Sequence, residues 1–124
     1  MIDFGIKAIA HWALKVADID RSLAFYRGQL GFAEMMRLAK DDGSLWLVYL
    51  RVTETQFVEL FPGGAGARAP GAEATAVNHL CLEVADLDWT VAALAGAGIP
   101  ITSGPKLGAD GNRQAWIADP DGNR

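Results

Sequence analysis

The chain has 124 residues but only one cysteine and two histidines, and it contains no run of Lys or Arg. A lone Cys81 cannot close a disulfide within the chain, so covalent staples are excluded and a free thiol fits a reducing, cytoplasmic setting. No stretch of about eighteen apolar residues occurs, which excludes a membrane-spanning helix. The start MIDFGIKAIA lacks the basic-then-apolar layout of a secretory signal. With 11 basic against 15 acidic residues the formal charge is −4, so there is no electrostatic footprint for nucleic acid or an anionic membrane. The expected partner is a small molecule or another protein chain. The length suits one domain around one core.

What is present is a repeat. The stretch His11–Gly28, HWALKVADIDRSLAFYRG, returns as His79–Gly96, HLCLEVADLDWTVAALAG, at an offset of 68 residues. The copies agree at His11/His79, Leu14/Leu82, Val16/Val84, Ala17/Ala85, Asp18/Asp86, Asp20/Asp88, Ala24/Ala92 and Gly28/Gly96. Both histidines of the chain therefore occupy one position of a duplicated unit, as two ligands of one metal ion would.

Residues 6–16 read as a strand, and Asp18 or Asp20 caps a helix over 20–29 that Gly31 ends. Strands follow at 32–39, 45–52 and 55–61, the first two joined by the Asp-Gly turn of 40–44. Residues 62–74, rich in Gly, Ala and Pro, form a linker. The second module, about 77–124, reads as a strand at 77–84, a helix at 88–97, a short strand at 99–102, a loop around 104–111 and a strand at 113–118. Asp119-Pro120-Asp121-Gly122 then makes a turn. A returning strand is expected after that turn, past Arg124.

Alternation along strands assigns faces. His11 shares its face with Ala13 and Lys15, and His79 shares one with Cys81 and Glu83. Glu59 shares a face with Phe57 and Phe61, a carboxylate between two rings, and burying it unpaired is costly. Coordination beside imidazole would relieve that cost, and such donors suit Zn²⁺, Ni²⁺ or Co²⁺, with Fe²⁺ and Mn²⁺ also compatible. The duplication places a fourth ligand near position 127. Lys15 is either a substrate-anion contact or a salt-bridge partner of Glu83. Phe57, Phe61, Trp46 and Trp116 line an apolar pocket or fill the core, Arg113 reaches a substrate carboxylate or lies in solvent, and Cys81 is expected as a small buried residue.

His11 with DIDRSLAFYRGQLGF, FVELF around Glu59, NHLCLEV around His79 and the closing DPDGNR together resemble the vicinal oxygen chelate superfamily (glyoxalase, bleomycin resistance protein and dioxygenase). The resemblance spans essentially the whole chain. It implies an α+β fold of paired βαβββ modules whose curved mixed sheets surround a shared cavity. It also implies a metal site built from His11, Glu59, His79 and a glutamate past Arg124, with modules of two chains pairing as a homodimer.

Glutamate at position 59 resembles the glyoxalase I arrangement. This implies a lactoylglutathione lyase-like enzyme with Glu59 as catalytic base, isomerising a hemithioacetal through an enediolate that the divalent ion stabilises. Lys15 stands where similar enzymes carry an arginine for glutathione carboxylates, and Phe61-Pro62-Gly63-Gly64 replaces an expected asparagine, so glutathione is the open part of this reading. The alternatives are a non-catalytic binder like the bleomycin-resistance members, or a metal-dependent dioxygenase or epimerase.

Overall fold

The computed structural model describes residues 2–66 and 68–124. Asp18 starts the first helix. Its backbone is extended (φ −134°, ψ 109°) and its carboxylate accepts the Arg21 N–H at 3.1 Å, pairing a donor that every helix start leaves free. Helix α1, Ile19–Leu23, continues into a π-helical stretch, Ala24–Gln29, so the expected single helix has a wider second half. The Leu30 N–H reaches back five residues to the Phe25 carbonyl (2.9 Å), and Gly31 turns the chain out at φ +77°.

Four strands form a mixed sheet in the order β1-β4-β3-β2: β1 (His11–Lys15), β2 (Ala33–Ala39), β3 (Leu45–Arg51) and β4 (Phe57–Phe61). β1 runs parallel to β4 and the other pairs are antiparallel, which makes one βαβββ module. The helix lies over one face. Val16, Val48, Leu50, Val58 and Leu60 are essentially inaccessible beneath Leu23, Phe25 and Tyr26, and Ile99 joins them from the second module. Each such side chain contributes roughly 1.5–3 kcal/mol of burial energy.

The strand expected over 6–16 is shorter, because β4 is its only neighbour among the described residues and Phe57 already donates to the Ala10 carbonyl (3.1 Å). Ile2, Phe4, Ile6 and Ile9 ahead of it are exposed.

In the second module Asp86 caps helix α2 (Leu87–Gly96) by accepting the Trp89 N–H at 2.9 Å, and β5 (Ser103–Leu107) pairs antiparallel with β6 (Arg113–Trp116). Three expectations fail here. Residues 77–84 form no strand. In the first module β1 owes its ladder to β4, whereas 77–84 has, among the described residues, a single such rung, from the Leu80 N–H to the Arg124 carbonyl (3.0 Å). The strand expected at 99–102 lies instead at Ser103–Leu107, within the expected loop, while Ile99 is in the core. Gly104-Pro105 reads as a breaker, but a ladder irregularity between Ser103 and Lys106 accommodates both residues. Gly104 has φ +84°, and a Cβ there would come within 2.6 Å of the Gln114 carbonyl oxygen. Third, β6 stops at Trp116, short of Ala118.

The turn after β6 locks the modules together. Gly122 N–H closes it onto the Asp119 carbonyl (2.9 Å), and Asp121 accepts from the Arg21 guanidinium (2.8 Å) and the Ala17 N–H (3.2 Å). Asp119 accepts the Tyr26 hydroxyl at 2.7 Å; burial first, and then the Asp119 charge, push that phenol well above its ordinary range.

Candidate active site

The sheet face away from α1 carries two rows of paired residues. One row is His11–Phe57–Arg51 and the next is Ala13–Glu59–Tyr49, read across β1, β4 and β3. Ala13 is small, so the His11 ring can lean over it, and its Nε2 lies 3.1 Å from Glu59 Oε2. Glu59 is 6% exposed, whereas about half of the His11 side chain is open to solvent. A carboxylate buried to that degree needs partners. His11 is one, and Tyr49 lies beside Glu59 in register on β3, where the carboxylate, followed by desolvation, raises the Tyr49 phenol above its usual range.

The rings form a connected set. Tyr49 meets His11 edge to face at 6.2 Å and Phe57 at 6.3 Å, and the Arg51 guanidinium lies 5.7 Å over Phe57. The arrangement offers one exposed imidazole and one largely dry carboxylate to a small molecule lying on an aromatic floor.

His79 lies elsewhere. It is exposed, with Nδ1 2.9 Å from Asn78 Oδ1 and its ring edge against Trp116 at 4.7 Å; the Arg124 guanidinium covers the Trp116 ring at 5.5 Å. Among the described residues no three His, Cys, Asp or Glu side chains converge as a metal site. The pair His11–Glu59 therefore supplies two donors, and a closed set needs about four. A cavity of about 170 Å³ does lie between the modules, but on the helix side of β1. Trp12, Leu14, Tyr26, Phe32 and Ile117 wall it with His79, and neither His11 nor Glu59 borders it.

The other sequence candidates scatter. Phe57 is in the site, and half-buried Phe61 is on its face beside Lys15 in register. Lys15 is exposed, and no ion pair joins it to Glu83 among the described residues. Trp46 is half-exposed and, by alternation, on the Val48 side of β3 rather than the Tyr49 side. Arg113 grips Asp88 through two bonds of 2.9 and 3.2 Å, which lowers the Asp88 pKa, so its guanidinium is spoken for. Cys81, expected buried, is exposed, because the segment that carries it has no ladder.

Tyr49 and Arg51 are site residues that sequence reasoning does not find. Alternation over 45–51 puts both on one face, but their rows beside Glu59 and Phe57 follow from the β3–β4 register, which the turn at 52–56 sets.

Residues 8–124 match the family described as "Glyoxalase/Bleomycin resistance protein/Dioxygenase superfamily". The chain is 27% identical over 124 residues to the ethylmalonyl-CoA/methylmalonyl-CoA epimerase of Cereibacter sphaeroides, covering 95% of this chain and 92% of that one. Among solved structures it is similar to SMU.1112c (TM-score 0.82, 26% identity, 95% of each chain). It is also similar to a lactoylglutathione lyase from Agrobacterium tumefaciens (TM-score 0.69, 26% identity, 96% of this chain and 90% of that one).

Proposed function

The chain belongs to the glyoxalase/bleomycin resistance protein/dioxygenase superfamily, and from that premise we infer that it is a metal-dependent lyase or isomerase of glyoxalase I type acting on a small carbonyl or hemithioacetal substrate. The observation that carries this reading is Glu59, a nearly inaccessible carboxylate within hydrogen-bond reach of an exposed histidine on an aromatic face. A carboxylate kept from water at a cost of several kcal/mol is a group held for chemistry.

Isomerisation of this kind takes a proton from one carbon and returns it to its neighbour. Glu59 Oε2 accepts the proton and gives it back, while His11 Nε2, 3.1 Å away, and Tyr49, beside it in register, hold the carboxylate in place. Phe57 and the buried Leu47 on the same face keep water from the exchanging proton. Lys15, two rungs further along β1, holds an anionic end of the substrate.

His11 and Glu59 fit part of a divalent-ion site by donor type, with Zn²⁺, Ni²⁺ and Co²⁺ the best suited ions. In a homodimer the partner's His79 would supply a third donor. When bound, the ion would neutralise charge developing on the substrate oxygens.

The test is the metal content of purified protein, followed by exchange of the hemithioacetal proton of methylglyoxal and glutathione in D₂O, read by NMR. Wild type is expected to hold a divalent ion and to catalyse exchange. Glu59→Gln should lose at least about a hundredfold in rate with its fold intact. Absence of a bound ion, or exchange that survives Glu59→Gln, overturns the proposal.

A second reading follows from the 27% identity to an epimerase. The same carboxylate would then invert a carbon beside a thioester carbonyl, and deuterium uptake at that carbon without isomerisation of the hemithioacetal separates the two.

A further inference from the structure

The geometry points to Arg51 as the residue that selects the substrate: its guanidinium receives a carboxylate on the substrate's own carbon skeleton, at the end of the His11–Glu59 face opposite Lys15. The inference rests on reading that face as the active site, and it names the substrate class as a small carbonyl compound that carries a carboxylate on an apolar body.

Arg51 is in register with Phe57, and Phe57 is in register with His11. With neighbouring strands about 4.8 Å apart, the Arg51 and His11 backbones are about 10 Å apart, a gap that a small acid lying across Phe57 bridges. The Arg51 guanidinium carbon lies 5.7 Å from the centre of the Phe57 ring, over its face. Attraction to the ring face uses none of the guanidinium N–H groups, and their fork matches a carboxylate through two parallel hydrogen bonds.

Four other arginines of the fold are already held by carboxylates. Arg21 is 2.8 Å from Asp121, Arg27 and Arg37 share Glu34, and Arg113 grips Asp88. Among the described residues the polar partners of Arg51 are the Glu54 carbonyl at 3.4 Å and the Glu54 carboxylate at 3.9 Å, and that carboxylate is 96% exposed. A pair so open to water is weak and readily exchanged for a ligand carboxylate. The apolar body has its own seat: Met36 and Leu38 on β2 pair with Tyr49 and Leu47 and extend the floor, exposed to solvent.

The experiment titrates metal-free protein, in EDTA, with 3-phenylpropionate and with the neutral 3-phenylpropionamide, by calorimetry. Removing metal keeps the probe carboxylate from ligating an ion. Wild type is expected to bind the acid at least about tenfold tighter than the amide. Arg51→Gln should abolish that preference at an unchanged thermal midpoint, Arg51→Lys should restore only part of it, and Glu54→Gln should retain it. Equal affinity of wild type for acid and amide overturns the inference. So does a preference that survives Arg51→Gln, or one that is lost in Lys15→Gln instead. The two readings fail separately: an acid preference in protein that holds no divalent ion as purified, before EDTA, sinks the lyase reading alone, and an ion in the purified protein without the preference sinks the role of Arg51 alone.

Discussion

Tyr26 donates its hydroxyl to Asp119 at 2.7 Å across 93 residues of sequence, joining the first helix to the turn that follows β6. Asp119 also accepts the N–H groups of Asp121 and Asn123 and the Asn123 side-chain amide, so one buried carboxylate organises the whole joint. Tyr26→Phe removes one donor and leaves the rest. It is expected to cost about 1–3 kcal/mol in urea unfolding, and Asp119→Ala, which orphans every donor at once, is expected to cost more.

Gly64 stands where the linker crosses the end of β1, with its N–H on the Val16 carbonyl at 2.9 Å. An added Cβ would lie 2.9 Å from both the Val16 carbonyl carbon and its oxygen, and backbone cannot swing aside as a side chain does. Gly64→Ala is expected to lower stability by about 1–3 kcal/mol. Gly28→Ala is the control: nothing lies within 4 Å of the point its new methyl group would occupy, its φ is ordinary, and it sits in the first helix. It should be neutral or stabilising by about 0.5–1 kcal/mol in the same unfolding assay.

Glu34 is held by Arg37 through bonds of 2.6 and 2.9 Å and by Arg27, and the Arg37 hydrogen bonds are the main cause of a pKa below the ordinary 4.5. A depressed carboxyl stabilises the folded state above its unfolded pKa, and that contribution disappears as pH falls through the folded value. Wild type should therefore exceed Glu34→Gln in urea midpoint at pH 7, and the gap should close progressively below about pH 4.5. A gap independent of pH would show that the arginine cluster acts by packing alone.

Much of the first module is legible because its signals are local. The Asp-Gly turn after β2 and the alternation around Glu59 depend on residues a few positions apart and lie where those signals put them, and of Asp18 and Asp20 the structure takes Asp18 as the cap. The second module is less legible. A strand at 77–84 needs a neighbour to donate its hydrogen bonds to, and apolar alternation in Leu80, Leu82 and Val84 says nothing of whether that neighbour is there. The Gly-Pro pair at 104–105 reads as a break because local rules count its missing N–H, whereas the ladder with β6 absorbs it in an irregularity.

The sequence by itself determined the duplication and the order of strands and helix in the first module, carried by residue identity and short-range periodicity, and its resemblance to the superfamily implied the α+β fold. Tertiary structure alone decided that His11 and Glu59 meet at 3.1 Å while His79 turns to Trp116, that Arg113 is taken by Asp88, and that Tyr49 and Arg51 flank the carboxylate. The reason is physical: which side chains touch across a sheet depends on strand register, and register depends on which strands pair and on the turns that join them, not on one strand's sequence alone.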